Sequence, residues 1–170
     1  MSTAVLHSAD TIRRSRHAQL VELAADLTAT AVIGHDRIDA AAIHSRPTVL
    51  RRVAARLAEH FAPGIDRLLA VTSDAPLATA VSLHSGIPFA TIDSLTFDAD
   101  CTVTVRGELH PGEDVAIVST TTLDRAVQLR EYLADRQIRV IAVVSAIAAP
   151  GDGNRCLYRL SADGLEPSHE

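Results

Sequence analysis

Apolar residues along this chain recur in two different rhythms. Continuous apolar runs occur at LLAV (68–71), VAIV (115–118) and within IRVIAVVSAI (138–147). Runs of that length and β-branched content predict strands buried on both faces. Between them the spacing changes to three and four. Leu20, Leu23, Ala24 and Leu27 predict a helix over residues 10–30, broken near Gly34. Leu50, Val53, Ala54, Leu57 and Phe61 predict a second over 48–61, ended by Pro63 and Gly64. Residues 34–47, GHDRIDAAAIHSRP, read as a loop and a short extended piece ending before Pro47.

The segment RLLAVTSDAPLATAVSLHSGIPFATID reads as a strand (68–72), a tight turn (73–75), a helix (76–84) and a strand (88–92). Asp74 suits the helix N-cap, Pro76 its first turn and Gly86 its C-cap. GEDVAIVSTTTLDRAVQLREYL repeats the pattern: strand 115–118, hydroxyl turn 119–122, helix from about Leu123. CTVTVRGEL alternates like a half-exposed antiparallel strand, RCLYRL reads as a final edge strand, and ADGLEPSHE as a polar tail. Strand–helix–strand units with continuous apolar strands predict an α/β fold, a mostly parallel central sheet covered by helices. One domain is expected over 1–170: an N-terminal helix and hood at 1–46, a core at 47–160 and a polar tail at 161–170.

Composition narrows the chemistry. The 170 residues include three Phe, two Tyr and no Trp, too few aromatics to stack bare nucleobases. There is no lysine; all sixteen basic residues are arginine, which excludes Schiff-base and P-loop amine chemistry. A net charge of −5 gives no general attraction to nucleic acid or anionic membrane, and no run is long and apolar enough to span a bilayer. Cys101 and Cys156 stand apart without metal-ligand spacing. These features predict a cytoplasmic protein.

Three segments in this order resemble a type I phosphoribosyltransferase, most of all an orotate phosphoribosyltransferase: LLAVTSDAPLATAVSLHSGIPF, RGELHPGEDVAIV and TTLDRAVQLREYLADRQIRVIAVV. PTVLRRVAARLAEHF resembles the family's N-terminal helix. The resemblance implies a homodimer and a cleft at the strand ends that grips phosphoribosyl diphosphate (PRPP). The residues falling on that grip are Ser119, Thr120, Thr121, Thr122 and Asp124. Those falling on the pyrophosphate loop and the neighbouring strand end are Thr72, Ser73, Asp74 and Asp93.

At those positions the sequence departs from the family's pattern. The acidic pair that holds the ribose hydroxyls is deleted or replaced by Ser119 and Thr120, and the glycines of the phosphate loop become Leu123 and Asp124. Asp93 falls near an expected basic position. The mobile catalytic loop with its lysine is replaced by the short SLTFDADC. Transfer at the anomeric carbon needs fixed ribose hydroxyls, a metal–diphosphate and positive charge at the leaving group, and each has lost a contributor. Two carboxylates a few ångströms from a diphosphate each oppose it by about 1 kcal/mol even in water-like surroundings.

Two accounts of the aspartates stand side by side. Asp74 and Asp124 are good helix caps; alternatively Asp74, Asp93 and Asp124 share a cleft whose sign has turned cation-binding. The threonines, set at a predicted helix N-terminus, can accept a phosphate or a sugar, or serve as turn residues only. His35, Asp36, Asp39 and His44 form a local group without metal-ligand spacing. The leading expectation is a phosphoribosyltransferase-like protein that no longer transfers from PRPP and acts as a binding or interaction subunit. The alternatives are an enzyme with changed chemistry in a specialised biosynthetic pathway, or a divergent active transferase. No catalytic residue, metal ligand or cofactor is assigned, and Mg2+ enters only if PRPP binding survives. A protein partner or a small molecule is the expected occupant of the cleft.

Overall fold

The structure, a computed structural model, describes residues 3–33, 37–96 and 102–168, the side chains at 3–10, 94–96 and 102 excepted. The predicted break at Gly34, the pair His35 and Asp36, and residues 97–101 of the shortened loop lie outside that set. In chain order the elements are α1 (Thr3–Ala31), a small antiparallel pair β1 (Val32–Ile33) and β2 (Arg37–Ile38), α2 (Ala40–His44), α3 (Pro47–Ala58), β3 (Arg67–Val71), α4 (Ala75–Ser85), β4 (Phe89–Thr96), β5 (Thr102–Arg106), β6 (Asp114–Thr121), α5 (Ala126–Ala134), β7 (Arg139–Ala148), β8 (Arg155–Ser161) and β9 (Gly164–Pro167).

Seven strands form one sheet in the order β5-β4-β3-β6-β7-β8-β9. The inner five run parallel, and β5 and β9 close the two edges antiparallel. One face, with Leu68, Ala116, Val118 and Val144, packs under α1, α3 and α4; the other, with Leu69, Ile92, Ile117 and Val143, packs under α5. The apolar runs of β3 and β6 are continuous because both faces are covered.

Connectivity reverses between β3 and β6. From β3 the chain crosses through α4 to β4 on one side, while β6 lies against the other side. Their carboxyl ends therefore flank the crevice where open α/β sheets receive ligands.

The structure moves several predicted boundaries. β6 runs on to Thr121, because Ser119 and Thr121 stay in register with Ser145 and Ile147 of β7. That extension pushes the helix start from Leu123 to Ala126, with Arg125 at the N-cap position and no side-chain cap; Asp124 is an exposed turn residue. Residues 40–44 form a short helix rather than an extended piece, capped by Asp39, whose Oδ1 accepts from Ala42 N at 3.2 Å. RCLYRL is not the sheet edge: β9 pairs outside it, within the expected tail. There Leu165 is buried and its N–H donates to Thr28 Oγ1 at 3.2 Å. Helix α4 keeps its expected signals, with Pro76 in the first turn and Gly86 closing it at φ 76°.

Candidate functional site

The candidate site is the crevice between the ends of β3 and β6, and alternation along β6 decides what reaches it. Thr120 shares a face with Ala116 and Val118, so its hydroxyl points into the layer of α1 to α4 rather than to solvent; it is 1% exposed. There it donates to Asp74 Oδ1. Asp74 ends the single 3-10 turn (Thr72–Asp74) after β3, makes no cap hydrogen bond, and is buried. Its position suits a cap, but its carboxylate is turned across the strands to Thr120.

A third group completes the cluster. His44, the last residue of α2, places Nε2 2.7 Å from Thr120 Oγ1 and 3.7 Å from Asp74 Oδ1. A threonine hydroxyl has one proton, and here Asp74 takes it, so Nε2 carries a hydrogen and donates to the oxygen. The chain His44 to Thr120 to Asp74 thus bridges α2, β6 and the β3–α4 turn. Burial lowers the His44 pKa, against the opposing pull of Asp74, and favours the neutral ring.

The other predicted residues find separate partners. Ser119 points to the α5 face and shares a hydrogen with Ser145 at 2.9 Å, both hydroxyls buried. Thr122 donates to Asp152 Oδ2 at 2.7 Å and accepts from Ala149 N at 3.1 Å. Thr72 donates to Asp93 Oδ1 at 2.6 Å. Asp93 also pairs with Arg106 of β5, and the two partners together hold its carboxyl below the usual aspartate range. Ser73 and Asp124 are exposed. Among the described residues, no group of three or more His, Cys, Asp or Glu is placed to hold a metal ion. Asp74, Asp93 and Asp124 are not such a group, and Asp74 and Asp93 have separate hydroxyl partners, Thr120 and Thr72. Asp39 and His44, the described members of the local metal candidate, are a helix cap and the Thr120 partner.

Sequence reading passed over His44 as a partner of this cluster because 76 residues separate it from Thr120. Its one local signal was a histidine ending an alanine-rich stretch beside a proline-started helix.

Backbone geometry around the crevice is equally informative. Among the described residues, none at 72–75 or 119–126 has a positive φ. An anion nest alternates right- and left-handed residues so that successive N–H groups converge, and neither turn has that form. Beside the crevice, at the ends of β6 and β7, lies a cavity of about 210 Å3. Thr121, Thr122, Ile147 and Ala148 line it, with Arg37 of β2 and Leu160 of β8.

No protein-family model matches the sequence, and no curated protein matches it. Solved structures do. A phosphoribosyltransferase from Corynebacterium diphtheriae superposes with a TM-score of 0.63 at 17% identity, over 84% of this chain and 94% of that one. Mycobacterium tuberculosis orotate phosphoribosyltransferase, solved with inorganic phosphate, gives 0.62 at 18% identity, over 81% and 85%. Leishmania donovani UMP synthase gives 0.59 at 22% identity over 76% of this chain, which spans only 31% of that longer protein. The chain has the type I phosphoribosyltransferase fold.

Proposed function

We propose that this chain is a phosphoribosyltransferase-fold protein that does not transfer from PRPP and works by binding, as an interaction subunit or a small-molecule receptor. The observation that carries this reading is the hydrogen-bonded chain from His44 through Thr120 to Asp74, which commits the polar groups of the β3–α4 turn and the end of β6 to one another. A diphosphate entering there would meet a buried carboxylate rather than a nest of N–H groups, and no lysine can offset it. Whether the family's acidic pair is deleted or replaced by Ser119 and Thr120, these two hydroxyls are committed to Ser145 and Asp74.

Changed chemistry at the same cluster finds less support. A threonine nucleophile needs a base to take its proton and an open approach. Thr120 is 1% exposed and gives its proton to Asp74, with the histidine on the donor side. A small ligand has more room in the cavity beneath Arg37. Its volume of about 210 Å3 lies below the range usual for drug-sized molecules and suits a fragment-sized compound with an apolar body.

Calorimetric titration with PRPP and Mg2+ tests the proposal. The expected result is no saturable heat at micromolar protein and no diphosphate released in the presence of orotate. Micromolar affinity, or turnover, would overturn it.

A further inference from the structure

At the carboxyl ends of the strands most polar side chains are already committed. Ser119, Thr120, Thr122 and Thr72 each hydrogen-bond within the chain, as do the carboxylates of Asp74, Asp93 and Asp152. Two neighbours differ. The hydroxyl of Thr121 and the guanidinium of Arg37 make no side-chain hydrogen bond or ion pair with another described residue, and both line the cavity of about 210 Å3 at the ends of β6 and β7.

The chemistry of these two groups selects the head of a ligand. Arginine offers five N–H donors and no acceptor, and the threonine hydroxyl can donate one hydrogen more. A carboxylate accepts on both oxygens and matches the planar fork of a guanidinium. A phosphate dianion is less well served. The cavity has one cation, the turn after β6 has no converging N–H groups, and the Asp152 carboxylate is bonded to the lining residue Thr122.

The other walls select the body. Ile38, Ile147, Ala148 and Leu160 present aliphatic surface. Ile147, Ala148 and Leu160 are core residues at most 4% exposed, so the sheet sets this wall before any ligand arrives. None of the described lining residues is aromatic, so a flat heteroaromatic ring meets no stacking surface.

We propose that this cavity receives a small aliphatic carboxylate, its acid group held by Arg37 and Thr121 and its hydrocarbon body by Ile38, Ile147, Ala148 and Leu160. The inference rests on the small-molecule-receptor form of the function proposed above and gives that receptor its ligand class.

Amide NMR titration of the full chain with isovalerate is the test, beside isovaleramide and orotate. Isovalerate should bind saturably, shift the amides of residues 37–38, 121–122 and 147–149, and bind about tenfold more tightly than the uncharged amide. Arg37→Gln changes an exposed residue and should weaken isovalerate about tenfold while nearly abolishing the preference for acid over amide. Thr121→Val keeps a β-branched residue in the strand and should weaken it about threefold. No saturable isovalerate binding below about 10 mM overturns the proposal, as do shifts confined to other residues or full affinity in Arg37→Gln. Orotate binding more tightly than isovalerate overturns the aliphatic class. The PRPP titration separates the two claims. PRPP binding defeats the function proposed above, whereas failure of isovalerate alone leaves that function standing in its interaction-subunit form.

Discussion

Replacing Thr120 with valine removes one oxygen and keeps the shape, so it isolates the hydrogen-bonded chain from its packing. The hydroxyl donates to a buried carboxylate, and hydrogen bonds to charged groups contribute about 1.5–3 kcal/mol. His44 Nε2–H also loses its acceptor, with side-chain exposures of 12% for His44 and 10% for Asp74 leaving little water to replace it. An unmet buried donor costs a further 1–3 kcal/mol or so. Against this, the added methyl gains up to about 0.8 kcal/mol from burial. The net expectation for Thr120→Val is a loss of about 3 kcal/mol. For a chain of this size that lowers the melting temperature by roughly 10 °C. Urea unfolding followed by circular dichroism measures it, with the midpoint shifted and the slope unchanged. In an Asp74→Asn background the same substitution should cost about 1 kcal/mol less, since the acceptor has lost its charge. If Thr120→Val instead unfolds within about 0.5 kcal/mol of wild type, the range of an ordinary surface substitution, the cluster is not holding α2 to the sheet. The reading of a crevice whose polar groups are committed to one another then fails.

His44 gives a pH signature. Its folded pKa is depressed below 6.5, so on acidification the unfolded chain takes up a proton that the folded chain resists. Stability is complete above that value and falls as pH drops through it; unfolding midpoints across about pH 7.5 to 5 should fall less steeply for His44→Gln than for wild type. At Gly164, φ is 122° and an added Cβ would lie 3.1 Å from Thr28 Cγ2. Gly164→Ala should therefore destabilise by about 1–3 kcal/mol in the same urea assay, and Gly153→Ala, whose added Cβ meets nothing within 4 Å, supplies the contrast.

How much of this was legible in the sequence follows the range of the interactions. The apolar runs of β3, β6 and β7 and the caps of α4 are local signals, and the sheet and its crossover follow from them. The hydroxyl segment misled because serine and threonine suit turns and strands alike. β-branched Thr120 and Thr121 stay in the sheet because β7 lies beside them, a condition the segment itself does not carry. Asp74 was misread as a cap for a related reason. At the first turn of a helix the cap is the cheapest local partner for an aspartate, yet the residue that takes it lies 46 positions away. The β9 strand escaped notice because its four residues include only one that is buried. Its anchor, Thr28, comes from the far side of the sequence.

That last contact bears on how the chain acquires its form. Tyr158 donates to the backbone oxygen of Leu20, and Leu165 to Thr28 Oγ1, across 138 and 137 residues. As synthesis proceeds, α1 emerges long before β8 and β9, and its apolar face must wait, without these partners, until they leave the ribosome. Contacts of such separation are slow to form. The nascent protein is therefore most vulnerable to wrong association while its first helix is finished and its outer strands are still being made.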